Sequence, residues 1–226
     1  MELRRAAVSY FLKCVTSALC RIDCREYREA LSRNEPMLVA FNHVNFLEVP
    51  ILVGHSYPVK VTGLAKAETW ENPFFAFLFD SYGAVPIKRG RAFTEAFRMM
   101  REAVDDGFFM CIAPEGTRSK DGVLGSGKPG IIQIALDTGM PILPVAHHGG
   151  ERFWENLRRL RRTPFCFRAG RPFRIRVEGR PGKGERDEIT AEVMGRMARL
   201  LPEDKRGVYA EQALRDESEC RYLDFL

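Results

Sequence analysis

The stretch Met37-Leu-Val-Ala-Phe41, followed without a break by Asn42-His43-Val-Asn-Phe-Leu-Glu48-Val-Pro50, decides how the chain is read. An apolar run with no polar face is the pattern of a strand buried on both sides, as in parallel sheets. The polar residues behind it fall in a loop. Glu48-Val-Pro50 then opens a helix, since an acidic residue is favoured in a first helical turn. Strand, loop and helix make the unit of an α/β fold, and the loop beyond a strand's carboxyl end is where such folds carry chemistry.

Outward from this unit the alternation continues. Residues 59–64, 84–87, 108–113 and 141–146 are short apolar runs bounded by Gly, Pro or charged residues, and read as strands. Between them, residues 68–79, 94–105 and 130–137 read as helices, the last stopping near Gly139. The final third adds an arginine-dense helix over 151–162 and two strands, 165–168 and 173–177, paired as a hairpin around Gly170-Arg-Pro172. A helix over 187–201 and a capping helix with a tail from Pro202 complete it. The expected fold is one α/β domain with a mixed, largely parallel central sheet flanked by helices. Its N-terminal helix carries Val8, Phe11, Leu12, Val15 and Leu19 at helical spacing, with Arg4, Arg5 and Lys13 elsewhere on the wheel. That pattern suits either a surface helix packed on the core or a basic, amphipathic helix lying in a membrane interface. The expected division is an N-terminal helical, interfacial segment over residues 1–35, a catalytic core over 36–209 and a C-terminal tail over 210–226.

The bulk properties narrow the function classes. At 226 residues, 45% hydrophobic and 29% charged, the chain reads as an ordinary globular domain, with nothing in the composition that suggests disorder or a repeat array. The net charge of +5 points to an anionic partner without choosing among nucleic acid, anionic lipid and a phosphorylated substrate. The six cysteines (Cys14, Cys20, Cys24, Cys111, Cys166 and Cys220) form no Cys-x-x-Cys pair, and the four histidines are scattered, so no metal is expected. The simplest reading is a reduced, cytosolic protein with Cys111 as a buried thiol. No run reaches the roughly 18 apolar residues of a membrane span. The best candidate, residues 6–19, is cut by Lys13 and lacks the layout of a secretory signal. A lipid-active chain of this kind lies on a membrane rather than across it.

Three polar constellations follow predicted strands. His43 and Glu48 would lie about 140° apart on a regular helix, so they meet only if the chain between them turns. A carboxylate on one imidazole nitrogen fixes the tautomer and leaves the other to take a proton from a hydroxyl. A structural histidine with a helix-capping glutamate satisfies the same spacing. In Gly83-Ala-Val-Pro-Ile-Lys88-Arg89-Gly90 an apolar strand ends in cations that suit either a phosphate or a solvated strand end. In Ala113-Pro-Glu115-Gly116-Thr117-Arg118-Ser119 a strand runs into a polar turn, where Gly116 permits unusual backbone geometry and Arg118 can bind phosphate bidentately. A turn with a salt bridge is the alternative. The run Gly125-Ser-Gly127-Lys128-Pro-Gly130 lacks the Gly-Lys-Ser/Thr of a nucleotide loop and reads as a flexible loop beside the site.

In order and spacing these blocks resemble the glycerolipid acyltransferases, the family of bacterial 1-acyl-sn-glycerol-3-phosphate (lysophosphatidic acid) acyltransferases. Asn42-His43 through Glu48 is similar to the first family motif and residues 83–89 to the second. Pro114-Glu115-Gly116-Thr117-Arg118-Ser119 matches the third nearly letter for letter, and Pro141-Ile-Leu-Pro144-Val145 is similar to the fourth. The resemblance spans about residues 36–209. It departs at one point: the first motif normally ends in Asp, where this chain has Glu48, which keeps the charge and adds a methylene. Related lipid A acyltransferases also use Glu at such a place.

The resemblance implies an O-acyltransferase of phospholipid synthesis. It would move a fatty acyl group from acyl-CoA or acyl carrier protein to the free hydroxyl of a lysophosphatidic acid-like acceptor, with no cofactor and no metal. His43 would be the base and Glu48 its orienting partner. Lys88, Arg89, Glu115, Gly116, Thr117 and Arg118 would hold the acceptor, the arginines on its phosphate. The implied partners are the thioester donor (acyl carrier protein being one form of it), the phosphate-bearing lysolipid and an anionic membrane surface, with no nucleic acid. The chain would be cytoplasmic and peripheral on the inner face of the cell membrane. It would dock through the N-terminal helix, residues 70–79 and Arg158, Arg159, Arg161 and Arg162. Three other readings remain open. One is a non-catalytic lipid-binding module on the same fold. Another is a nucleic-acid binder, suggested by the aromatic and arginine alternation of residues 165–176. The third is an acyltransferase for glycerol 3-phosphate or another lysolipid, including an amino-acid-derived one.

Overall fold

A computed structural model describes residues 2–33, 35–87 and 94–226. Helix α1 (Glu2–Leu19) leads into β1 (Cys20–Asp23) and α2 (Arg25–Leu31). Strands and helices then alternate: β2 (Leu38–Phe41), α3 (Glu48–Ser56), β3 (Val61–Lys66), α4 (Pro73–Ser81), β4 (Val85–Ile87), α5 (Thr94–Asp105), β5 (Phe109–Ile112), α6 (Gly130–Thr138) and β6 (Ile142–His148). The chain closes with α7 (Phe153–Arg158), β7 (Thr163–Ala169), β8 (Phe173–Ile175), α8 (Lys183–Arg199) and β9 (Leu223–Phe225). Among the described residues the strands form one sheet with the path β1-β7-β6-β2-β5-β3-β4, and β8 and β9 lie off that path. Strands β2 to β6 run parallel to one another, whereas β7 and β8 are antiparallel to β6. This is the mixed, largely parallel, helix-flanked α/β domain that the sequence predicts.

The apolar run at 38–41 has no polar face because both of its faces are covered. Leu38 and Ala40 pack into one core with residues of α6 and α8, while Val39 and Phe41 pack into a second core with residues of α2 and α3. Leu38, Val39 and Phe41 each stabilise the fold by about 1.5–3 kcal/mol on full burial. Strand β2 lies between β5 and β6, so the carboxyl ends of three adjacent parallel strands open onto one region.

Five local expectations are corrected. The helix expected over 68–79 breaks at Asn72-Pro73 into a 3-10 turn (Ala67–Glu71) and α4, because Pro73 lacks an N–H and Asn72 caps α4 by accepting from Phe74 N at 2.9 Å. The helix expected over 151–162 shrinks to a 3-10 turn and α7, and Leu160 turns the chain with φ 51°. The hairpin around 170–172 does not form. Strands β7 and β8 instead run on along one edge of β6, where Ala169 faces Val145 and Phe173 faces Ile142. The extra residue on that side is taken up as a bulge at Gly170-Arg171-Pro172, where Pro172 has no N–H for the ladder. The end of the expected tail is strand β9, paired with β8, and the capping helix expected after 202 is a run of short 3-10 turns.

Helix α1 has two faces. Arg5, Val8, Ser9, Leu12 and Thr16 are buried, with Val8 and Leu12 in one cluster with Val53 of α3. Gly54 allows the approach: a Cβ there would stand 3.0 Å from Lys13 N and 3.1 Å from Leu12 Cβ. The opposite face leaves Leu3, Tyr10, Phe11 and Val15 exposed, so Phe11 and Val15 do not belong to the packed stripe. Arg162 donates to Ser17 O and Cys20 O and holds the end of this helix rather than facing outward freely. Cys111 is a buried thiol, pushed up to about 12 by burial. No described helix is long and apolar enough to cross a membrane.

Candidate active site

Strand β2 ends at Phe41, and its next residue prolongs the ladder with a side chain. Asn42 Nδ2 donates to His147 O at 2.9 Å, and Asn42 Oδ1 accepts from His147 N at 2.8 Å. This buried, two-point clamp on β6 fixes where His43 leaves the sheet. The chain then turns as the spacing of His43 and Glu48 requires. Asn45 holds the turn from both sides, accepting from Leu47 N at 2.7 Å and donating to Gly150 O at 2.9 Å.

Glu48, in the first turn of α3, is wholly buried and turned back under the loop. Its Oε1 accepts from His43 Nδ1 and from Val44 N at 3.0 Å. Its Oε2 accepts from Asn45 N at 2.8 Å and faces His147 Nε2 at 3.0 Å. Burial pushes the Glu48 carboxyl up, and the hydrogen bonds from His147 and His43 outweigh it, so the group sits below its ordinary value. With a carboxylate on Nδ1, His43 carries its hydrogen there. Its Nε2 is left without a hydrogen-bond partner among the described residues, on a side chain 22% exposed.

The third constellation is laced onto the first. Glu115, just past β5, is buried and accepts from His43 N at 2.7 Å and from Gly125 N at 2.7 Å. Burial raises its carboxyl above the usual range in spite of both bonds. Ser119 N donates to His43 O at 2.7 Å, and Lys128 N donates to Pro114 O at 2.9 Å. The turn between them has Gly116 at φ 65°, and Thr117 and Arg118 are exposed. Arg118 makes no hydrogen bond or ion pair among the described residues.

The structure therefore brings His43, Glu48 and the segment from Glu115 to Arg118 to one edge of the sheet. Lys88 and Arg89 lie outside the described residues; strand β4, which precedes them, ends at Ile87 parallel to β3. Two groups escaped the sequence reading. One is Lys128, whose amine lies 2.9 Å from where a Cβ on Gly116 would stand. The other is His147, at the carboxyl end of the predicted strand over 141–146, a position that would have flagged it.

The sequence model of the Acyltransferase family matches residues 22–148. The chain belongs to the Acyltransferase family. The matched span contains His43, His147, Glu48 and Glu115. Among similar proteins is the chloroplastic 1-acyl-sn-glycerol-3-phosphate acyltransferase of Brassica napus, 34% identical over 133 residues, which are 57% of this chain and 38% of that one. The chloroplastic enzyme of the same name from Arabidopsis thaliana is 31% identical over 120 residues, 52% of this chain and 33% of that one. The matches thus span well under two thirds of those relatives. The crystal structure of the 1-acyl-sn-glycerophosphate (LPA) acyltransferase from Thermotoga maritima shares the fold, with a TM-score of 0.62 at 22% identity over 94% of this chain and 80% of that one.

Proposed function

We propose that this Acyltransferase-family chain transfers a fatty acyl group from a thioester to the free hydroxyl of a phosphate-bearing lysolipid. The observation that carries the reading is the His43–Glu48 pair, with Nδ1 held and Nε2 open beside the loop that bears Arg118. His43 Nε2 takes the acceptor's hydroxyl proton, and the oxygen attacks the thioester carbonyl. The tetrahedral adduct collapses with cleavage of the C–S bond, and the thiolate recovers the proton from His43. Glu48 holds the imidazolium through the cycle. Arg118 and Lys128, together with Lys88 and Arg89, supply cations for the acceptor phosphate, and Gly116 and Thr117 shape the turn that presents them. Glu115 orders that turn against His43. The donor is acyl-CoA or acyl carrier protein.

The test is thiol release from one acyl-CoA with lysophosphatidic acid, glycerol 3-phosphate or an amino-acid-derived lysolipid as acceptor. Release is expected to be fastest with lysophosphatidic acid. Faster turnover of the phosphate-free acceptor would overturn the acceptor assignment, and lipid binding without release would favour a non-catalytic module.

We further propose that the chain docks on a membrane, at its cytoplasmic inner face. Helix α1 exposes Leu3, Tyr10 and Phe11, α4 exposes Phe74, Phe75 and Phe77, and the Arg4 guanidinium stands 5.4 Å over Phe77. Arg158 and Arg161 extend the basic character, whereas Arg159 pairs with Glu155 at 3.0 Å. The chain is expected to float with anionic vesicles at low salt and to release as salt shortens the Debye length. No flotation at low salt sinks this part of the reading.

A further inference from the structure

We propose that His147 is a positioning residue, which holds the second oxygen of Glu48 so that the first stays fixed on His43; this rests on the reading of His43 as the general base. His147 Nε2 stands 3.0 Å from Glu48 Oε2 and 2.9 Å from Asn42 O. Both are acceptors, so Nε2 carries the hydrogen and shares it between them. The ring cannot turn away. It is wholly buried and stacked beside Phe165 and Phe167 at interplanar angles of 26° and 30°, with centroids 6.1 and 5.2 Å distant, and Asn42 grips its backbone N–H and C=O. Among the described residues its Nδ1 is buried without a partner, so the ring's hydrogen bonds there run through Nε2.

This arrangement gives the glutamate a reason. Its carboxylate bridges two imidazoles, His43 on Oε1 and His147 on Oε2. An aspartate on the same backbone falls one methylene short and serves His43 alone. Glu48 and His147 therefore act as a matched pair: the longer side chain reaches further, and the second histidine removes the rotational freedom that the extra bond introduces.

The test compares His147→Leu, His147→Gln, Glu48→Asp and the double variant Glu48→Asp/His147→Leu, each checked for folding by circular dichroism. In His147→Leu, kcat is expected to fall on the order of 10- to 100-fold, the scale for partners that orient a functional histidine, with KM changed less than about twofold. The amide N–H of His147→Gln reaches the same oxygen and restores most of the rate. In the Glu48→Asp background, His147→Leu has little further effect. Wild-type kcat in His147→Leu, or equal loss in the Leu and Gln variants, or the same factor in both backgrounds, would overturn the proposal. Full activity in His43→Ala would instead strike the reading of the base. In that event, long-range proton–nitrogen spectra of the unmodified protein still decide: protonated Nε2 on His147, perturbed in Glu48→Gln, supports the pairing, and protonated Nδ1 rules it out.

Discussion

Replacing His43 with alanine is expected to slow acyl transfer by about 10²- to 10⁴-fold, the range for loss of a general acid–base group. The loss corresponds to roughly 3–5 kcal/mol of transition-state stabilisation. It should fall on kcat, because the imidazole acts only as the proton moves, while the groups that hold donor and acceptor stay in place. The fold should survive. The His43 side chain is partly exposed, and the loop is held by its backbone through Glu115 and Ser119 rather than by its ring. Thiol release measured at saturating acyl-CoA and acceptor checks this. An alanine variant that turns over at the wild-type rate removes His43 from the chemistry.

Glu48→Gln is expected to damage both stability and activity. All four groups that Glu48 meets are donors: His43 Nδ1 and Val44 N at one oxygen, Asn45 N and His147 Nε2 at the other. An amide offers an acceptor on one side only, so its NH₂ must face two buried donors whichever way it is turned. Leaving buried donors unpaired in this manner costs about 1–3 kcal/mol. The pH dependence carries a sign. The folded carboxyl titrates below its ordinary value of 4.5, so its stabilisation is fully present above that value and is lost as the pH falls through the lower folded one. The gap in urea midpoint between wild type and Glu48→Gln should be widest near neutrality and should narrow in acid. A gap that grows on acidification would contradict the depressed carboxyl.

Two of the corrected segments differ in cause. The hairpin expected around Gly170 has the right strands and turn residues, but each strand found a better edge on β6 than on its neighbour. Composition and periodicity describe how a segment wants to bend, not which other segment it meets, since pairing is decided by long-range burial. The helix expected over 151–162 failed for a more local reason, a turn at Leu160 in a conformation that leucine rarely adopts and that no residue type announces.

The sequence by itself determined the parts that are local. The run at 37–41 needed cover on both faces, and the step from Asn42 to Glu48 could close a histidine–carboxylate pair only through a turn. The resemblance to the acyltransferase motifs grouped the third constellation with the first. The tertiary structure alone decided what surrounds that pair. Asn42 and His147 stand 105 residues apart and meet because β2 and β6 are adjacent in the sheet. The slot for the His147 ring is built by Phe165 and Phe167, from a strand that the sequence had paired elsewhere. The reason is physical: a carboxylate has two oxygens, and while one can be assigned from spacing along the chain, the partner of the other is fixed only when the sheet brings distant strands together.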